Sequence, residues 1–306
     1  MGPTDRLSPF TFSVVIPTRG RPLLTKRAVE SALCQTWGPE EVIVVVDGPD
    51  EETRSTLAEC TDARVKTVML PESRGAGGAR NVGVESACGE YIAFLDDDDV
   101  WLPGKLGAQA EVLTSSEDPA RTILGCAAYW NDGTRTRVWP TRPPAPGERI
   151  AEYLFVRNHA GEGVLATPTL IVSRDLATRC PMPTHLKTHE EWDWILDLER
   201  AGVIFAVVMK PLVEVDARPR RASVSDSSNW RDSLAWALSR ASDMGDRAFS
   251  GFVLTEVARV AVLGKAPFRV HLAIAAIAMT GRPRLRDVAR FLGRPVALAR
   301  CARSDR

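Results

Sequence analysis

Residues 42–46 read Val-Ile-Val-Val-Val, an unbroken β-branched run stopped by Asp47-Gly48-Pro49. A strand without polar alternation must be covered on both faces, which confines it to a largely parallel sheet sandwiched between helices. Apolar runs at 12–16 (FSVVI) and 91–95 (YIAFL) and a strand-like stretch at 65–69 (VKTVM) alternate with helical patterns at 23–36, 50–60 and 77–87. Strands alternating with helices specify an α/β fold. Further along, the pattern predicts a helix over 103–115, a strand over 122–129, a Pro-rich loop over 139–149 and a helix over 148–156. It continues with an apolar segment over 164–172, a helix from 189 closed by Gly202, and a strand over 203–208. Residues 216–229 read as a polar loop, and beyond Trp230 apolar residues such as Val253, Val257 and Val260 recur at helical spacing.

At 306 residues, with 44% hydrophobic and 25% charged residues, the chain is long enough for a sizeable core. Lys plus Arg and Asp plus Glu each number 39, a balance that argues against a dedicated nucleic-acid binder. The charge is nevertheless unevenly spread. From Arg218 onward there are 17 basic against 7 acidic residues, and before it 22 against 32, so a body of −10 precedes a tail of +10. The six cysteines form no CxxC pair and have no His at ligand spacing, which disfavours a structural zinc site. The opening MGPTDRLSPF lacks a basic segment followed by an apolar core, so a cytoplasmic protein is expected. The apolar stretch 268–279, interrupted by Arg269 and His271, is shorter than the ~20 residues that span a bilayer.

Three polar clusters follow three of the strands, where open α/β sheets gather their ligands. The most informative is Asp96-Asp97-Asp98-Asp99. Adjacent carboxylates raise one another's pKa and destabilise the strand end unless something positive neutralises them. A divalent cation is the simplest neutraliser, and a short loop of oxygen ligands suits Mg²⁺ or Mn²⁺. The competing reading is a solvated acidic turn.

VVIPTRGR (14–21), VIVVVDGPDEET (42–53), GGARNVG (77–83), GEYIAFLDDDDVWLPGKL (89–106) and HEEWDW (189–194) occur in one order. Together they resemble the family 2 glycosyltransferases, nucleotide-sugar enzymes of the GT-A fold. The resemblance covers about 12–225. It implies a Rossmann-like mixed sheet flanked by helices, with a nucleotide-sugar half at 12–115, an acceptor half at 116–225, a tail at 1–11 and a helical extension at 226–306.

Carried onto this sequence, the resemblance gives Pro17, Thr18, Arg19 and Asp47 to the base-binding side, with the Asp47 carboxylate accepting a pyrimidine N–H. Thr18 as a turn cap and Asp47 as an Asx-turn residue are the alternatives. Arg74 and Arg80 fall near the diphosphate and sugar, unless they only decorate a solvated helix face, and Gly75, Gly77 and Gly78 permit close approach of backbone. Asp96-x-Asp98 matches the DxD motif, which assigns Asp98 to the metal and Asp96 or Asp97 to the ribose and metal-bound waters. In HEEWDW the catalytic base maps to Glu191, with Glu190 as the fallback. Thr188-x-x-Glu191 also fits a capping box. Arg220 takes a position often held by His and would clamp phosphate, or else belong to a flexible basic loop.

The resemblance therefore implies an inverting, metal-dependent transfer from a nucleoside diphosphate sugar, UDP- or dTDP-linked, to an acceptor hydroxyl. The chain lacks the Gln-x-x-Arg-Trp motif of the processive relatives, so a single transfer is expected. A non-catalytic sugar-nucleotide binder on the same fold is the alternative. A dinucleotide-dependent oxidoreductase would want GxGxxG after the first strand, where PTRGRP stands. The basic extension reads either as a peripheral membrane contact or as a helical lid or dimer contact with solvated arginines.

Overall fold

The computed structural model describes residues 10–218 and 229–293. They form two compact units. The first holds residues 10–144, 164–186 and 190–218, and the second holds 145–163, 187–189 and 229–293.

The strands, all in the first unit, are β1 (Phe12–Thr18), β2 (Glu41–Val46), β3 (Val65–Met69), β4 (Tyr91–Phe94), β5 (Val100–Trp101), β6 (Thr122–Asn131), β7 (Thr136–Trp139), β8 (Ile171–Ser173) and β9 (Ile204–Asp216). The unit's helices are α1 (Pro22–Leu33), α2 (Glu51–Ala58), α3 (Gly75–Ser86) and α4 (Lys105–Thr114), and later α6 (Arg174–Arg179) and α7 (Glu190–Arg200); α5 (Ile150–Phe155) belongs to the second unit. The strands join in one sheet of order β3-β2-β1-β4-β8-β6-β9-β5, with β7 paired to β6. β1 to β4 are parallel, β8 runs antiparallel to β4 and to β6, and β9 lies parallel to β6.

β1 and β2 are buried at every position, as continuous apolar runs require. Each fully buried Val or Ile contributes roughly 1.5–3 kcal/mol. α1 turns Thr25, Ala28, Val29 and Ala32 onto that surface. Trp101 and Leu106, which follow the acidic run, join the same core. β9 extends to Asp216, well past the expected strand at 203–208. Pro211 interrupts the pattern because it cannot donate a ladder hydrogen bond. The sheet absorbs it where the β6–β9 register shifts around Ala127. β5, β7 and β8 are two to four residues long, too short to leave a periodic signature.

The second unit contains α5, α8 (Trp230–Ser239), α9 (Ala241–Met244), α10 (Asp246–Phe252), α11 (Ala258–Leu263), α12 (Phe268–Met279) and a helical stretch at 285–293. Segment 145–163, expected in the acceptor half, packs here, where the rings of Phe155 and Phe252 meet edge to face at 5.1 Å. His189 also packs here, 5.0 Å from Trp236 and with Nε2 2.8 Å from the Ser233 hydroxyl. Burial pushes its pKa down to about 4.

Candidate active site

The strand order reverses at β1, with β2 and β3 on one side and β4 on the other. Such a switch point opens a crevice beyond the C-terminal strand ends. The β1–α1 loop, the end of β2 and the acidic run after β4 meet there.

Arginines, placed by α1 and α3, compensate the acidic run. Arg80 Nη2 donates to Asp96 Oδ1 at 2.5 Å. Arg21 Nη1 donates to Asp97 Oδ1 and Asp98 Oδ2, both at 3.0 Å. Arg27 Nη2 donates to the Asp98 carbonyl at 2.6 Å. The Asp99 carboxylate accepts the Asp216 N–H at 2.9 Å. The neutraliser in this structure is thus guanidinium, and the sequence argument from repulsion to a cation has a second solution. Burial raises the pKa of Asp97 against the pull of Arg21 and Thr18. Burial, with Asp96 next, raises that of Asp99 well above the usual range.

The four carboxylates are not equivalent. Asp97 and Asp99 are the buried members, and Asp97, its side chain 8% exposed, also accepts from the Thr18 hydroxyl at 2.8 Å. Asp96 and Asp98 keep 27% and 24% of their side chains open. Among the described residues no three His, Cys, Asp or Glu side chains form a closed cage. Two part-exposed hard oxygen donors on an open edge fit Mg²⁺ or Mn²⁺, which share their shell with waters and phosphate oxygens. A cavity of about 350 Å³ is lined by Asp98 together with Tyr129, Asn131, Glu214 and Asp216.

The remaining expected residues are engaged as follows. Pro17 is buried within β1, and the Thr18 hydroxyl also meets that of Thr25 at 2.6 Å. Asp47 accepts from the Ser73 hydroxyl at 2.6 Å, the Arg74 N–H at 2.6 Å and the Gly75 N–H at 3.1 Å. Its carboxylate therefore braces the start of α3. Arg19 Nη1 joins this brace through Ser73 Oγ at 3.0 Å. Gly75 has φ +75°, a conformation that favours glycine. Gly77 and Gly78 face protein, since a Cβ there would meet the Pro183 carbonyl at 2.8 Å and the Arg74 Cβ at 2.6 Å. Arg220 lies outside the described residues.

α7 carries the two glutamates. Trp194 packs edge to face on Phe94 of β4 at 5.7 Å and donates its indole N–H to the Cys180 carbonyl at 2.7 Å. That contact brings the first turn of α7 to the acidic run. Glu191 Oε1 lies 3.6 Å from Arg80 Nη2, the nitrogen that also holds Asp96. The helix starts at Glu190, and His189 before it has φ +69°. This start sets Glu191 second in the helix, out of the capping-box register with Thr188. The Glu191 side chain is 36% exposed. Loss of surrounding water raises its pKa, Arg80 opposes the rise, and Asp96 adds to it. Arg80 is only 5% exposed; burial works against its charge, yet Asp96 and Glu191 outweigh burial and raise its pKa. Its Nε and Nη1 have no hydrogen-bond partner among the described residues.

Sequence reasoning missed Arg21, Arg27, Ser73 and Asp216. A signal existed for Arg21, a cation three residues past β1 in the quoted VVIPTRGR. None existed for Asp216, whose approach depends on β5 pairing with β9.

The family profile described as "Glycosyl transferase family 2" matches residues 13–177, more than half of the chain. The chain belongs to glycosyl transferase family 2. This glycosyltransferase is 26% identical over 235 residues to the amylovoran biosynthesis glycosyltransferase AmsB of Erwinia amylovora, covering 74% of this chain and 76% of that protein. In fold it is similar to S. aureus TarS 1–349, solved in complex with UDP-GlcNAc, at a TM-score of 0.60 and 18% identity over 92% of this chain and 89% of that one. It is also similar to the mannosyltransferase PcManGT of Pyrobaculum calidifontis, solved with GDP-Man and Mn²⁺, at a TM-score of 0.54 and 17% identity over 95% and 80%. The sheet is the mixed, helix-flanked sheet of the GT-A glycosyltransferases. No helix among the described residues is long and apolar enough to cross a membrane.

Proposed function

We propose that this glycosyltransferase carries out a single inverting transfer, moving a sugar from a UDP- or dTDP-linked donor to an acceptor hydroxyl with a divalent cation. One observation carries the reading: Arg80 holds Asp96 of the DxD run and Glu191 of α7 on one guanidinium, although 95 residues separate the two acids. A carboxylate near the donor's anomeric carbon, on the face opposite the departing diphosphate, is what a single displacement needs. Glu191, part-exposed, takes the acceptor proton as the hydroxyl attacks the anomeric carbon, and Glu190 is the fallback base. Proton transfer to a carboxylate suffices because it can lag attack on an oxocarbenium-like centre.

Asp98, with Asp96 beside it, would hold Mn²⁺ or Mg²⁺ together with diphosphate oxygens. When bound, the ion offsets charge on the departing nucleoside diphosphate. Arg74 and Arg80 face the donor phosphates and sugar, and Thr18, Arg19 and Asp47 frame the base; the phosphate clamp that the family resemblance gives to Arg220 falls on a residue outside the described ones. TarS with UDP-GlcNAc supports a uridine donor, and PcManGT with Mn²⁺ supports the cation.

The test is a donor panel of UDP-, dTDP- and GDP-sugars with Mn²⁺, scored for nucleoside diphosphate release with and without EDTA and for the anomeric configuration of the product by NMR. EDTA-sensitive release with an inverted anomer is expected. A retained anomer, or turnover indifferent to EDTA, overturns the reading, and donor binding without any turnover favours the sugar-nucleotide binder.

A further inference from the structure

The last two described helical stretches of the second unit leave an apolar face uncovered. α12 reads FRVHLAIAAIAM, and among its residues only Ile274 and Ala278 are buried. At 100° per residue, Phe268, Leu272, Ala276 and Met279 fall within an arc of about 80° on the opposite side. Phe268 is 75% exposed, Leu272 57% and Met279 59%. Arg269 stands at the edge of that arc. The stretch 285–293 repeats the design, with Leu285, Ala289 and Leu292 in an arc of about 60° and Arg286 at its edge. Leu285 is 88% exposed and Leu292 65%, whereas Asp287, on the other side, is buried.

The six cations between 263 and 293 divide into two groups. Arg284 and Arg290 turn inward: Arg284 pairs with Asp287 at 3.1 Å, and both donate to the Arg157 carbonyl, at 2.8 and 2.7 Å. Lys265, Arg269, Arg282 and Arg286 are exposed, and their side chains have no ion pair or hydrogen bond among the described residues. Asp287, the sole acid in the segment, is consumed by the inward pair. What remains outside on each stretch is an apolar arc with an uncompensated arginine at its edge, Arg269 or Arg286, while Lys265 and Arg282 stand exposed just before the two stretches.

We infer that this face of α12 and 285–293 docks on an anionic lipid bilayer, the apolar residues entering the headgroup boundary and the four outward cations meeting lipid phosphates. The charge distribution selects this occupant. A second copy of the chain would bring four like cations to the same seam, whereas an anionic interface offers apolar depth and negative charge together. The inference does not depend on the transfer chemistry.

Flotation of the full chain with equimolar phosphatidylglycerol and phosphatidylcholine vesicles tests it. Binding is expected at low salt, with loss at high salt and on pure phosphatidylcholine. Each exposed cation near such a surface is worth about a fivefold change in partitioning, so R282Q/R286Q weakens binding about thirtyfold. L272E/L285E weakens it by at least roughly tenfold per leucine. Neither pair alters the far-UV circular dichroism, since all four side chains are surface groups. No binding to the anionic vesicles at low salt overturns the inference, as does unchanged binding of L272E/L285E. A vesicle-independent dimer that these leucine substitutions dissolve also overturns it.

Discussion

Replacing Arg80 by Gln leaves Glu191 without the cation that holds its carboxylate ionised. At 3.6 Å, a pair of unit charges interacts by about 1 kcal/mol at the dielectric of water and about 5 kcal/mol at an effective value near 20. Glu191 is 36% exposed, so solvent screens the pair toward the lower end. A loss of about 1–2 kcal/mol corresponds to a rise of about one pKa unit. A group that must be ionised to act as base then becomes active only at higher pH. The acid limb of the kcat/KM profile for transfer should therefore move up by about one unit in Arg80→Gln and stay nearly in place in Arg80→Lys, which keeps the charge. Thermal melts of both variants accompany the profiles, because Asp96 also loses its partner. Equal activity losses in the two variants with an unmoved acid limb would refute the coupling of Arg80 to the base.

Glu191→Gln should keep donor binding, read by calorimetry, and lose transfer by roughly 10²- to 10⁴-fold, the range for a missing general base; a large loss in Glu190→Gln with normal Glu191→Gln would move the base one residue back. Asp98→Ala should abolish Mn²⁺-dependent turnover while its melting behaviour changes by no more than about 1 kcal/mol, since its pair with Arg21 is part-exposed. Full activity in that variant would remove Asp98 from the metal. Glu41, buried at the start of β2, holds its pKa down to about 2: burial opposes this, and hydrogen bonds from Lys66, Ser13 and Cys88 overcome it. A depressed carboxyl stabilises above its unfolded pKa, so about 2–3 kcal/mol should disappear as pH falls from about 4.5 toward 2. Urea titrations of wild type and Glu41→Gln should converge over that window, and parallel curves would contradict the assignment.

The parallel half of the sheet was legible because β1, β2 and β4 are buried on both faces; 42–46 alone announces the architecture, while β3 is a part-exposed edge strand. The acidic run and the two glutamates of HEEWDW were legible as residue types at strand and helix ends. Their partners were harder to read. Arg80 and Glu191 lie 111 residues apart, and the contact that brings them together, Trp194 on Phe94, joins two residues that each read as ordinary core. The packing of 145–163 with the C-terminal helices has no local pattern either, because Phe155 meets Phe252 across 97 positions. Strands of two to four residues carry too few side chains to show a period.

The arginines of the acidic run bear on how the cleft answers its ligands. A nucleoside diphosphate brings negative charge to a region already holding Asp96, Asp98 and Glu191, and a divalent ion brings positive charge to one already holding Arg21 and Arg80. The diphosphate alone worsens the balance of a cluster with more acids than arginines, and the ion restores it. Arg21 would exchange the Asp98 carboxylate for phosphate as the ion takes that carboxylate, and Arg80 would do the same at Asp96 while keeping Glu191. Donor and ion should for that reason bind cooperatively, each raising the affinity for the other by the same factor. In calorimetric titrations, Arg21→Gln should erase that reciprocity along with the donor's dependence on Mn²⁺; undiminished coupling in the variant would mean that the guanidinium takes no part in the exchange.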